Sequence, residues 1–425
     1  MSADAPAAGS SRSYASLRHR DFRLLWTAEF VSSTGTQIQR VAVAWQIFEV
    51  SRDPLALGVL GLCRFVPILL FGIAGGVFAD RYDRRRTLLI SQIALLACST
   101  AFAAMTILGA ASLAAIYALT IIASIFAAVA GPTRQALIPT LVPREELAGA
   151  MSMNVLASQV ATVGGPAIGG VLLGALGIGA AYTVDAISFG VVAIAVIVLR
   201  TRPAVVRQTI SGWAAAVEGL RFLRDSPGLL AVMILDFVAT FFGASTVLMP
   251  VFATDVLGIG PAGLGLLLAA PAAGAVAGGA VMAVARTPNR PGLGVVGAVI
   301  VYGACIFGFG LSRNPWLSLA LLAGGGAADA VSMAMRHTVR NLLSPDELRG
   351  RIAAAHSTFA MGGPQLGEFE SGLLAARFGA PAAVASGGAL AILAALLIAW
   401  RLPAISAFRL SAPRAERDRA HAAAD

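Results

Sequence analysis

Stretches of about twenty apolar residues recur along the whole chain, each ended by a short charged or Gly/Pro-rich break. About 20 residues of helix span the roughly 30 Å hydrocarbon core of a bilayer, and a helix keeps every backbone hydrogen bond inside its own segment. Twelve spans are expected, at about 22–49, 55–79, 86–108, 112–137, 147–174, 179–199, 228–254, 261–285, 292–312, 315–342, 350–375 and 380–401. Charged residues make up 12% of the chain, about half the roughly 25% usual in soluble domains. The expected fold class is an all-α membrane protein with twelve transmembrane helices.

An even number of spans puts both termini on one face, and the arginines say which. The chain has no Lys, and about 25 of its 31 Arg fall in alternate loops and the two termini, as the positive-inside rule requires of cytoplasmic segments. The opposite loops carry little charge (Arg52, Asp53, Arg313, Arg377). This distribution accounts for the net charge of +9 without a nucleic-acid partner, and no basic and aromatic interleaving is present. Cys63, Cys98 and Cys305 stand singly in apolar runs and the four His are dispersed, so neither a metal site nor a disulfide framework is expected. The first 24 residues lack the apolar core of a signal peptide. The expectation is a multi-pass, monomeric protein of the inner (plasma) membrane, surrounded by lipid, with no cofactor.

The longest non-apolar interval divides the chain. A tail (1–20) precedes a six-span half (21–200), a linker (201–227), a second six-span half (228–403) and a second tail (404–425). In the linker Trp213, Val217, Leu220 and Leu223 recur at helical spacing opposite Glu218, Arg221 and Arg224, which describes an amphipathic helix on the cytoplasmic membrane face or a soluble linker helix. The halves repeat. LVPREELAG (141–149) matches LLSPDELRG (342–350), and GGPAIG (164–169) matches GGPQLG (362–367) in the span that follows. Two pseudo-symmetric six-helix bundles follow from such parallel repeats.

A charged side chain at the centre of a span costs at least about 2.5–3.5 kcal/mol, so the intramembrane polar residues are the functional candidates. In the first span Glu29, Ser33, Gln37 and Arg40 form one stripe, with Glu29 toward the cytoplasmic entry. Gln37 and Arg40 either line a cavity or bridge helices. Arg64, deep in the second span, needs an acidic partner or water. Asp236, Glu368 and Asp329 are the candidates for carrying a proton, with Asp185 placed toward the outer interface, within reach of water. Asp329, Ser332, Arg336 and Arg340 share one face of the tenth span, so an Asp329–Arg336 pair is the structural alternative there. No P-loop or nucleophile constellation occurs, and the extramembrane segments are too short for a catalytic domain, so the chain is not expected to be an enzyme.

Between the second and third spans lies GGVFADRYDRRRTL (75–88). It resembles the loop 2–3 signature of the major facilitator superfamily at Gly76, Ala79, Asp80, Arg81, Arg84, Arg85 and Leu88, with Asp83 in place of a second Gly. The resemblance implies that Asp80 and Arg84 form a conformational latch to the start of the eleventh span. The corresponding stretch after the eighth span (279–290) has Ala283 where Asp80 would fall. Gly165, Pro166, Gly169 and Gly170 resemble the core of the exporter motif of facilitator-superfamily antiporters, with Ala161 in place of its upstream glycine. LRHRDFRLLW (17–26), Arg64-Phe-x-Pro67, EGLRFLRDSP (218–227) and SPDELRGR (344–351) are similar to the branch of enterobactin exporters and macrolide-efflux proteins. One departure is that the fourth span lacks the intramembrane Arg of many drug/proton antiporters, Arg134 lying at its cytoplasmic end. What the resemblance implies is secondary active transport by alternating access: proton-coupled export of a siderophore, macrolide-like drug or similar amphipathic small molecule. Import of a small metabolite, or a non-transporting sensor, are the alternatives.

Overall fold

The computed structural model describes residues 15–81, 83–201, 227–284, 290–343 and 349–401, with the side chains of 72–81, 227–229, 341–343 and 349–361 outside the description. Residues 1–14, 82, the second tail, most of the linker and the loops after the eighth and tenth spans lie outside the described residues. So do the side chains of Asp80 and Arg81, whose backbone, like that of Gly76, is helical.

The first six helices are α1 (Arg20–Ser51), α2 (Pro54–Arg81), α3 (Arg84–Ile107), α4 (Leu113–Leu137), α5 (Leu147–Leu176) and α6 (Ile178–Val198). The second six are α7 (Pro227–Phe242), α8 (Gly260–Val284), α9 (Pro291–Leu311), α10 (Pro315–Leu343), α11 (Arg349–Phe378) and α12 (Ala380–Arg401). These bounds fall within three residues of those expected, with one difference in kind. The seventh span is interrupted at 243–245 and resumes as Thr246–Leu248, Met249–Val251 and the π-turn Phe252–Val256. Tyr302 donates to the Gly243 carbonyl at 3.1 Å, satisfying one group that the break releases. Among the described residues ten helices are long and apolar enough to cross a membrane; α1 and α11 are the two that fall short. In α1 the polar stripe singled out above is the cause, whereas in α11 only 362–378 count toward the length.

Local chemistry sets the ends. Asp83 caps α3, its carboxylate accepting from the Arg85 and Arg86 amides at 2.9 and 3.1 Å, so a helix cap stands where the family pattern uses glycine. Ser112 caps α4 in the same way. The α5–α6 and α11–α12 turns each pass through one glycine with positive φ, Gly177 at 80° and Gly379 at 84°, one in each half. Asp21 joins the ends of the first bundle: its carboxylate accepts from the Arg200 and Thr201 amides at 2.9 and 2.8 Å and from the Thr201 hydroxyl at 2.7 Å.

Helices α1–α6 pack into one bundle and α7–α12 into the other, meeting chiefly through α2 on α11 and α5 on α8. Glycines permit both seams. A Cβ on Gly372 would lie 2.6 Å from the Gly58 Cα, and one on Gly170 would lie 2.7 Å from the Gly265 Cα. Both contacts are on the face away from the chain ends, where the largest apolar cluster joins residues of the two bundles. A further glycine contact lies within the second bundle, where Gly278 of α8 packs on Ala327 of α10.

Candidate functional site

Between the bundles, and lined mostly by the first, is a cavity of about 450 Å³. The α1 stripe forms its wall: Glu29, Ser33, Gln37 and Arg40 all reach it. Arg64 of α2, Thr120, Ser124 and Arg134 of α4, Ser158 and Thr162 of α5, and Gln365 of α11 complete it. It extends from Arg64 and Gln365 at mid-span toward the face of the chain ends, while the two glycine seams close the opposite face.

Gln37 both lines the cavity and bridges helices, its amide donating to Thr162 of α5 at 3.1 Å. Two glycines of the exporter-like motif explain how α5 comes so close. A Cβ on Gly165 would lie 2.5 Å from the Gln37 Cβ, and one on Gly169 would lie 3.2 Å from the Ile38 Cα. Gly170 is the partner of Gly265, and α5 runs unbroken through Pro166. The motif is thus a packing surface for α1 and α8.

Glu29 is buried and forms an ion pair with Arg134 across the cavity wall. Sequence placed Glu29 near the entry and gave Arg134 no role. Their separation of 105 positions is closed by the packing of α1 beside α4. Arg40, Arg64 and Glu368 act on one another electrostatically. A Cβ on Gly61 would lie 2.9 Å from the Glu368 Cβ, so the carboxylate enters over a glycine of α2, and its Oε2 is buried without a hydrogen-bond partner. Among the described residues the charges within reach of the cavity are Arg40, Arg64 and Arg134 against Glu29 and Glu368.

The family described as transmembrane secretion effector matches residues 11–421. The chain belongs to it and is a transporter of the major facilitator superfamily. The enterobactin exporter EntS of Citrobacter koseri is 27% identical over 406 residues, covering 93% of this chain and 95% of the relative. A bacterial homologue of the human lysosomal transporter Spinster, solved inward-facing and unoccupied, has a TM-score of 0.67 at 17% identity, covering 93% of this chain and 97% of its own. A bacterial homologue of the iron transporter ferroportin, solved in an inward-facing state, has a TM-score of 0.68 at 15% identity, covering 92% and 99%. As a transporter the protein is not an enzyme.

The remaining carboxylates of this transporter divide into two kinds. In the second bundle Arg336 binds Asp236 of α7 at 2.6 Å and Asp329 of its own α10 at 3.3 Å, with Asp236 and Arg336 both buried. The Asp329–Arg336 pair of the structural alternative is therefore formed, with Asp236 as a further member. In the first bundle Asp185 of α6 is 0% exposed, not near water as expected, because α1 and α3 close over it. Sequence depth alone could not show which way its side chain turns. Of the described latch residues, Arg84 donates to the Ala136 carbonyl of α4 at 3.0 Å and Arg85 to the Val196 and Ile197 carbonyls of α6 at 2.9 and 2.7 Å. They hold the first bundle together by neutralising the carbonyl ends of two helices.

Proposed function

We propose that the transporter is a proton-coupled exporter of a siderophore or a similar acidic, oxygen-rich small molecule across the inner membrane, with both termini cytoplasmic. The observation that carries this is the pair of guanidiniums, Arg40 and Arg64, presented to a cavity whose neutral polar lining is amides and hydroxyls and whose one lining carboxylate, Glu29, is held by Arg134. Guanidinium forks and neutral donors suit carboxylate, phenolate and carbonyl oxygens. A cationic drug would meet like charge there. The enterobactin-exporting relatives support the same class. Polar lining of a 450 Å³ space leaves apolar parts of a ligand to Val43, Ile68, Leu95 and Phe102.

In this proposal the arginine distribution makes the chain-end face cytoplasmic, so the cavity is open inward and the glycine seams are the closed outer gate. Export then requires the bundles to rock until the seams part and the inner face closes. The latch of Gly76, Asp80, Arg81, Arg84 and Arg85 acts at that inner closure. Before it, Glu368 serves as the internal counter-charge of Arg40 and Arg64, which an acidic substrate displaces. Asp236 and Asp329, shared by Arg336, are less able to exchange a proton than a carboxylate without a cation.

The test uses protein reconstituted in proteoliposomes with an imposed pH gradient and enterobactin as the probe. Gradient-dependent accumulation, with proton movement in the opposite sense, is expected. Accumulation indifferent to the gradient would remove proton coupling, and oriented vesicles separate export from import.

A further inference from the structure

An antiporter needs its proton and its substrate to exclude one another. Glu368 has the wrong sign for that when the substrate is acidic. Protonating it takes away the charge that competes for Arg40 and Arg64, and so favours the substrate. The proton of an exporter of acids must sit elsewhere.

We infer that Asp185 is the proton-binding carboxyl, connected to the transport cavity through Ser99 and Gln39. Gln39 of α1 lines the cavity, and its amide donates to the Ser99 hydroxyl of α3 at 2.9 Å. Ser99 in turn donates to the Asp185 Oδ2 at 2.6 Å. Oδ1 is buried with no hydrogen-bond partner among the described residues. A Cβ on Gly35, one turn before Gln39, would lie 3.1 Å from that oxygen, so α1 is pressed on the carboxyl by the absence of a side chain. Two donors in series ending on Oδ2 suit the ionised carboxyl, and Oδ1 is the oxygen left free to take the proton.

No cation lies within ion-pair distance of Asp185 among the described residues. The titratable groups around it are few. On α6 there is Tyr182, which donates to Gln46 of α1 at 2.7 Å, and on α3 there is Cys98 beside Ser99. On α1, Glu29 is held by Arg134, Arg40 faces the cavity, and Arg20, Asp21, Arg23 and Glu49 lie toward the helix ends. On α3 the arginines sit in the first turn, and α5 carries no titratable residue. An uncompensated charge at this depth is costly, which makes proton uptake favourable once cavity water displaces the Gln39 amide and reaches the Ser99 hydroxyl, which can relay a proton as the amide cannot. The step is the transfer of one proton from hydronium to the Asp185 carboxylate, leaving water. It cancels the charge that draws the Ser99 and Gln39 donors together. Gln39 lies beside Arg40 and two residues from Gln37, so releasing it shifts the helix that presents the substrate's donors. Ionised Asp185 goes with the substrate-ready α1, and neutral Asp185 with its release, which is the sign antiport requires.

The transport side of this inference rests on the function proposed above; the proton site itself does not. Infrared difference spectra of the full-length protein in lipid, between acidic and alkaline buffer, read the carboxyl directly. A protonated-carboxyl band is expected that is lost in Asp185→Asn, kept in Glu368→Gln, and moved to higher wavenumber in Ser99→Ala, where the hydrogen bond to it is removed. A spectrum unchanged by Asp185→Asn overturns the inference. In a weakly buffered solution, enterobactin binding to the wild type is expected to release a proton, and binding to Asp185→Asn to release none. Release undiminished in Asp185→Asn also overturns it. A titrating band at Asp185 in a protein that enterobactin does not bind would sink the substrate proposal and leave the proton site standing.

Discussion

Gly170 of α5 and Gly265 of α8 touch backbone to backbone: a Cβ on either would come within 2.7 or 2.8 Å of the other's Cα. The repeat gives this contact a counterpart. Carrying the register of GGPAIG and GGPQLG one residue further puts Glu368 where the first half has Gly170. There the partner helix again supplies a glycine, Gly61. One seam between the bundles is thus apolar and self-complementary, while the other carries a carboxylate under the electrostatic influence of Arg64 and Arg40. Pseudo-symmetric helices have been given unlike chemistry at one matched position.

Gly170→Val tests the apolar seam. Overpacking of a close contact costs about 1–3 kcal/mol, which shifts a two-state equilibrium by about 5–150-fold. The variant is expected to favour the conformation with the seam parted. Spin labels on α5 and α8 at that end should report a longer distance, and Gly372→Val should do the same for α2 and α11. Unaltered distances in both would show that the seams do not move.

Arg64→Ala removes one fork from the cavity. A hydrogen bond to a charged group is worth about 1.5–3 kcal/mol, so an acidic ligand should bind about 10–100-fold more weakly. Arg64→Lys keeps the charge and should lose less. Titration of enterobactin against purified protein by intrinsic fluorescence reads both, and equal affinity in all three would show that the guanidinium does not contact the ligand.

Glu368→Gln has the opposite sign. With the competing carboxylate gone, Arg40 and Arg64 are left to the substrate, and about tenfold tighter binding is expected from an interaction of about 1.4 kcal/mol. Export should slow, because release becomes harder, while the pH gradient continues to drive it. Loss of gradient dependence with unchanged affinity would return the proton to Glu368.

The helices were legible because hydrocarbon thickness and backbone satisfaction leave little choice, and the α1 stripe was legible because polar residues at helical spacing stand out in an apolar background. What each stripe meets was not. Glu29 finds Arg134, and Arg336 finds Asp236, across about a hundred positions with no local signal for the pairing. Asp185 was misplaced because depth along a helix says nothing of azimuth: its span is buried on one side and faces lipid on the other. The break in the seventh span was equally hidden. Gly243 is one of 46 glycines, and only its position against Tyr302 marks it.

The Arg336 cluster separates a structural from a coupling role. Truncating one partner of a buried ion pair leaves the other charge uncompensated and costs about 3–5 kcal/mol, whereas removing both is often nearly neutral. Asp236→Ala should therefore lower the thermal unfolding midpoint of the purified transporter sharply, because among the described residues Arg336 then keeps Asp329 alone, which holds it at 3.3 Å and is more exposed. Asp236→Leu combined with Arg336→Met should recover most of the loss. Transport by the folded fraction of Asp236→Asn should keep its dependence on the pH gradient. Were Asp236 the proton carrier instead, the midpoint would hardly move and the gradient dependence would vanish, so one pair of measurements on one variant tells the two roles apart.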